Sequence, residues 1–355
     1  HRCEIEMGTN LEWFQKAIYD ITHDKNVVNN LSNIQIALTA LNSNQLKYTS
    51  SSLNLSNVFD CLNCSNKEQI DLACEVLKTF LKVQDPAAIL SQYGIAMLRA
   101  LNHPNVEVKE LVLKELNRAA SEPTLSPRLC EERDLLLCVV TCVGHEDNAV
   151  ARPSIQFLVK LGSTLEGIKS LFSTSMLETL NHVAKLNDIN RFRIHEIVVE
   201  ISAVFQPGLE ASRTSGLLDL VLEELKSDDI LAVLNTLELI TKLALTHHGF
   251  QYLESQGVVR HLADKLCGKE EEAFLSFLLF GLVKFFGNVA QLRPQETFQD
   301  YPEAMTAIFR AIQEDTDQNF VLVALETFGY VATTTHGKWI LHKKGIYMEE
   351  IMNRI

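Results

Sequence analysis

The chain has 355 residues, 46 % of them hydrophobic, and a formal net charge of −13. That charge repels nucleic acid and anionic membrane surfaces, so neither is expected as a main partner, although local basic patches stay possible. Only 8 prolines and 15 glycines punctuate the chain, which suits many helices joined by short turns.

The first clear element is Leu11 to Ile21 (LEWFQKAIYDI), with apolar residues at 11, 14, 18 and 21 on one helical face. Asn- and Ser-rich stretches follow (NNLSN, LNSNQ, TSSSLNLSN), and these favour caps and turns over helix interiors. Residues 1–60 are expected to form an atypical N-terminal cap, with disorder over 42–57 as the alternative. Ile70 to Leu81 is an amphipathic helix, and Asp85-Pro86 starts the next unit with proline in a first turn.

From there polar turns recur, each followed by a longer helix. They begin at 103, 145, 187, 227, 268 and 314, in steps of 42, 42, 40, 41 and 46. Asp or Asn in such a turn accepts hydrogen bonds from the free N–H groups of the next helix. A second periodic mark is a pair of glycines eight apart, at Gly208/Gly216, Gly249/Gly257 and Gly337/Gly345, with serine in the second slot at Gly167/Ser175. Such a pair is read here as bracketing a two-turn helix. The first glycines lie 41, 41 and 88 residues apart, so one weakly marked unit falls between the last two. Each unit reads as short helix, middle helix, acidic turn, long helix. A period near 42 with three helices predicts an all-α, right-handed armadillo/HEAT-like solenoid of about seven to eight repeats over 61–355. The array is expected to be cut short at its C-terminal end.

Chemistry-bearing motifs are scarce. Cys61-Leu-Asn-Cys64 is a lone CxxC, and Cys74 is the only nearby third candidate for a zinc site that needs four ligands. With no signal peptide in view, reduced thiols are the default, and Cys138 and Cys142 read as core residues. The most apolar run, Ala273 to Phe286, is too short for a membrane span and is expected to be a buried helix. His195-Glu196 opens like a zincin helix, but Val199 replaces the second histidine. Asp315-x-Asp317-x-Asn319 resembles a calcium loop with Phe320 where glycine is required. His247-His248 is read as capping a helix C-terminus. No phosphate-binding glycine loop or nucleophile elbow is present, so no cofactor, metal or catalytic group is expected.

The long helices end alike: LNRAA (116–120), LVKLG (158–162), ISAVF (201–205), ITKLA (240–244), FGNVA (286–290) and FGYVA (328–332). This resembles the L-x-N-L-A ending of the armadillo third helix. In that family the third helix lines a concave groove, and its asparagines form a ladder that grips extended peptide. Here the ladder position holds Arg118, Lys160, Ala203, Lys242, Asn288 and Tyr330. One turn earlier, in place of the family's tryptophan, stand Lys114, Gln156, Val199, Glu238, Lys284 and Glu326. Only Asn288 matches the ladder, which disfavours an import receptor. The candidate partner-binding set is therefore Lys114, Arg118, Gln156, Lys160, Asn235, Glu238, Lys242, Lys284, Asn288, Glu326 and Tyr330.

Longer strings are more specific. NDINRFRIHEIVVEIS (187–202), LALTHHGFQYLESQGV (243–258) and GLVKFFGNVAQL (281–292) resemble the proteasome non-ATPase regulatory subunit 5 family. That resemblance implies a non-catalytic assembly chaperone, cytoplasmic or nuclear. It would bind the C-terminal domain of a regulatory-particle ATPase, beside a second ATPase and a large non-ATPase scaffold subunit. A general armadillo-type adaptor for an extended peptide, or for another folded partner, is the alternative.

Overall fold

The computed structural model describes residues 2–23, 25–268, 272–314 and 317–343, and every regular element among them is a helix. The chain divides into two compact units, His1–Arg193 and Ile194–Ile355.

The first unit opens with α1 (Arg2–Asp20), α2 (Val27–Thr39), α3 (Ser43–Ser51), α4 (Ser56–Asp60) and α5 (Lys67–Leu81). Phe14, Ile18 and Ile21 are buried, as their spacing predicts. The polar stretch 42–57 carries α3 and the start of α4, joined through non-helical residues 52–55, and α3 is capped by its own side chains. Asn42 accepts from the Gln45 N–H while the Gln45 side chain accepts from the Asn42 N–H, a reciprocal capping box. The unit continues with α6 (Pro86–Leu101), α7 (Val106–Ala120), a 3-10 turn, α8 (Ser126–Glu131), α9 (Arg133–Val143), α10 (Asn148–Leu161), α11 (Leu165–Leu171) and α12 (Thr174–Leu186). The division between the units falls within α13 (Asp188–Val204).

The second unit holds α14 (Gln206–Thr214), α15 (Leu217–Glu223), a 3-10 turn and α16 (Ile230–Ala244), then α17 (His247–Ser255), α18 (Val258–Leu266) and α19 (Glu272–Leu292). It continues with α20 (Pro294–Asp300), α21 (Pro302–Glu314), α22 (Gln318–Thr333) and α23 (Thr335–Lys343). The triplet α20–α22 is the weakly marked repeat, with proline opening its first two helices instead of a glycine pair.

Long third helices stack to make each core: α2 on α5, α5 on α7 and α7 on α10, then α16 on α19 and α19 on α22. Phe80, Leu116 and Phe157 lie buried in the first stack, and Ile240, Phe285 and Phe286 in the second. The acidic turns are N-caps, as predicted. Asn105, Asp147, Asp229 and Asp317 accept from the first N–H groups of α7, α10, α16 and α22, each cap contributing about 1 kcal/mol. The turn at 268–270 runs beyond the described residues.

The glycine pairs work differently from the bracketing reading. The first glycine sits inside the first turn of the short helix, not before it. Thr164, Thr246 and Thr334 cap these helices by accepting from the N–H of Gly167, Gly249 and Gly337. A Cβ at those glycines would run into the backbone carbonyl of Leu161, Leu243 or Val331, near the end of the preceding long helix. Glycine is thus required for close approach at the corner between repeats. The second glycine does take a left-handed conformation, with φ of 80° at Gly216 and 72° at Gly257; Gly345 lies outside the described residues. Gly249→Ala is expected to destabilise the protein by about 1–3 kcal/mol through overpacking against backbone. Gly329→Ala, mid-helix with nothing within 4 Å of its added Cβ, is expected to stabilise by about 0.5–1 kcal/mol. Thermal unfolding should show opposite shifts; equal shifts would contradict the close-approach account.

Candidate partner-binding face

Residues three or four apart share one face of a helix, so the candidate positions on each long helix lie side by side. In the first unit Lys114 and Arg118 stand on α7, and Gln156 and Lys160 on α10. In the second unit Asn235, Glu238 and Lys242 stand on α16, Lys284 and Asn288 on α19, and Glu326 on α22. Lys114, Gln156, Lys160, Asn235, Glu238, Lys242, Lys284 and Glu326 are exposed, and Arg118 and Asn288 half-buried. The side chain of Tyr330 lies outside the described residues.

At Arg118, Lys160 and Lys242 the ladder side chain reaches back to the preceding repeat. Arg118 donates to the carbonyls of Leu81 at 2.7 Å, Lys82 at 2.9 Å and Gln84 at 2.8 Å, at the C-terminal end of α5. It also pairs at 2.9 Å with Glu115, which is 5 % exposed. Burial pushes the Glu115 carboxyl above its usual range, and the Arg118 charge opposes that rise without cancelling it. Lys160 Nζ donates to the Asn117 carbonyl at 3.4 Å, and Lys242 pairs with Glu200 at 3.5 Å. Asn288 donates to the Lys284 carbonyl on its own helix. Arg118 is therefore committed inside the fold, while the exposed ammonium groups of Lys114 and Lys284 face solvent.

The second unit adds residues that the repeat alignment passed over. Leu231, Phe277 and Leu322 are exposed on α16, α19 and α22, in the halves preceding the polar positions, and Phe277 is 61 % exposed. The run containing Phe277 is therefore not wholly buried as its apolar composition suggested. Its solvent-facing side could be found only by aligning 277 with 231 in the repeat register.

Of the remaining motifs, Asp315 in the calcium-like loop lies outside the described residues. Cys61 and Cys74 are buried, and burial raises their thiols to about 11 and about 12. The Cys64 thiol donates to the Cys61 carbonyl at 3.5 Å. Cys142 is buried, but Cys138 is only half-buried and lies against the Asn102 amide. Among the described residues no cluster of three or more His, Cys, Asp or Glu could hold a metal ion. Asp317 caps α22, and His195 is buried. His247 and His248 start α17 instead of ending a helix; His248 Nε2 still reaches a helix end, the Ser202 carbonyl in α13, at 2.7 Å. No helix among the described residues is long and apolar enough to cross a membrane.

A family model described as the proteasome non-ATPase 26S subunit matches residues 10–355. The chain belongs to this family. The 26S proteasome non-ATPase regulatory subunit 5 of Homo sapiens is 34 % identical over 319 residues, 90 % of this chain and 63 % of the relative. The Bos taurus protein of that name is 33 % identical over 323 residues, 91 % of this chain and 64 % of the relative. The chain thus spans a little under two thirds of the length of these curated relatives. Among solved structures, yeast importin-beta (Kap95p) aligns over 99 % of this chain and 46 % of its own, with a TM-score of 0.60 and 14 % identity. At that identity the likeness concerns the fold alone. This proteasome-family chain is an all-α, armadillo/HEAT-like solenoid.

Proposed function

We propose that the chain is a non-catalytic assembly chaperone of the proteasome regulatory particle, acting in the cytoplasm or nucleus. It binds the C-terminal domain of one regulatory-particle ATPase through the exposed face of its third helices. It holds that subunit in a precursor with a second ATPase and a large non-ATPase scaffold subunit. Covering the tail region of the ATPase sterically delays docking on the core particle until the ring is built. Departure follows when the mature ring disfavours the bound chaperone, because binding shifts an equilibrium only through differential affinity. The observation that carries this reading is the family match over residues 10–355. The exposed polar residues of α16, α19 and α22, beside exposed Leu231, Phe277 and Leu322, supply apolar anchors next to charges, the composition of a protein-binding surface.

The test is charge reversal at Lys242→Glu with Lys284→Glu. Lys242 holds only a partly exposed ion pair with Glu200, so stability should fall by no more than about 1 kcal/mol. Affinity for the ATPase domain is expected to drop by about tenfold or more in a calorimetric titration. Unchanged affinity, with an unchanged circular dichroism spectrum, would retire the assignment of this face.

A further inference from the structure

The first unit carries a second surface, built from α6 and the α8–α9 corner and not from the third helices named above. A groove of about 610 Å³ runs between α6 and the corner joining α8 to α9. Its origin is a bend in α6. Tyr93 leaves helical conformation (φ −122°, ψ 15°), held down by its hydroxyl, which accepts from the Leu55 N–H and donates to the Leu53 carbonyl. The next residue, Gly94, offers no side chain to fill the space, and a Cβ there would meet only Glu132 Oε1, at 4.0 Å. Leu90, Leu98 and Leu135 line the groove, with Ile95 standing in it 75 % exposed.

The rim across from α6 is acidic. Glu131, Glu132 and Asp134 all line the groove and are exposed, and none of them pairs with a cation. Arg133 lines the groove as well, but its guanidinium donates to Ser175 Oγ at 2.8 Å, and the neighbouring Arg128 donates to the Ala87 carbonyl and to Ser91 Oγ on the groove wall. Three unpaired carboxylates beside an exposed aliphatic side chain select a ligand with the opposite pattern. A volume of this size, within the range of about 300–1,000 Å³ that holds compact ligands, takes a few side chains and not a folded surface.

We propose that this groove docks a basic peptide segment of a partner protein, seating a large apolar side chain against Ile95 and Leu98 between lysines or arginines that meet Glu131, Glu132 and Asp134. The apolar anchor supplies affinity, and the carboxylates supply orientation and rate of encounter.

The experiment uses the whole chain and a fluorescein-labelled peptide, Lys-Lys-Leu-Lys-Leu-Lys-Lys, read by anisotropy. Three variants are compared: Ile95→Ser, the triple Glu131→Gln/Glu132→Gln/Asp134→Asn, and a control triple at exposed second-unit carboxylates, Asp219→Asn/Asp228→Asn/Asp264→Asn. All substituted side chains are exposed, so circular dichroism should be unchanged. The expected result is an affinity loss of about tenfold in the first two variants, little change in the control triple, and no binding of a peptide with alanine in place of leucine. Equal losses in both triples would overturn the proposal by reducing it to the general charge of an acidic protein. Absence of peptide binding to the unmodified chain, or indifference to Ile95→Ser, would overturn it as well.

Discussion

Arg118→Met is expected to destabilise the first unit by about 3 kcal/mol, the lower end of the range for breaking a buried ion pair, because the arginine is itself partly exposed. The loss has two sources. The carbonyls of Leu81, Lys82 and Gln84 lose a charged donor, and the buried Glu115 carboxylate loses its partner. Replacing both members together, Arg118→Met with Glu115→Leu, should recover most of the loss, since no unpaired charge then remains buried. The pH dependence has a definite sign. Burial, opposed by Arg118, raises the Glu115 carboxyl above its ordinary value. A carboxyl raised in the folded state favours folding fully below its unfolded value, near 4, and that contribution fades as pH climbs through the folded value. Without Arg118 the carboxyl should rise further. The stability gap between Arg118→Met and the unmodified chain should therefore be widest near neutrality and narrow as pH falls. Chemical denaturation at several pH values measures it; a gap independent of pH would show that Glu115 is not the cause.

Leu262→Asp is expected to have the largest effect. Leu262 is 2 % exposed on α18, which packs against α17, α19 and α21. Losing the leucine side chain costs about 2–5 kcal/mol, and an unpaired carboxylate in an apolar site adds a penalty of comparable size. That total is similar to the whole stability of a typical domain, about 5–15 kcal/mol. Repeat arrays are stabilised mainly by nearest-neighbour interfaces, so unfolding should concentrate around the repeat that is hit. Hydrogen exchange should show lost protection over 247–266 with retained protection over 106–161. Leu262→Met should be nearly neutral, within about 1.5 kcal/mol. Full protection of α18 in the aspartate variant would contradict the packing described.

The repeat was legible because its strongest signals are local. Asp and Asn caps act within three residues, so Asn105, Asp147, Asp229 and Asp317 mark helix starts in sequence as clearly as in space. Gly249 was misread because a glycine needed for space and one needed for a left-handed turn look the same in a sequence. The difference lies in where the Leu243 carbonyl arrives, which depends on the angle between successive repeats. Arg118 illustrates the same limit. Its helical register places it with the groove-lining ladder, yet its guanidinium reaches carbonyls of the preceding repeat, residues 34 to 37 positions away. Phe277 shows the reverse: a uniformly apolar helix gives no periodic sign of which side meets water.

The measurement that bears most directly on the chaperone reading is a pull-down of this chain against each isolated C-terminal domain of the regulatory-particle ATPases, at low and at physiological salt. The account predicts retention of one domain and not the others, weaker at the higher salt because the charged positions on the third helices are exposed. Retention of none of the domains, or of all of them alike, would contradict it.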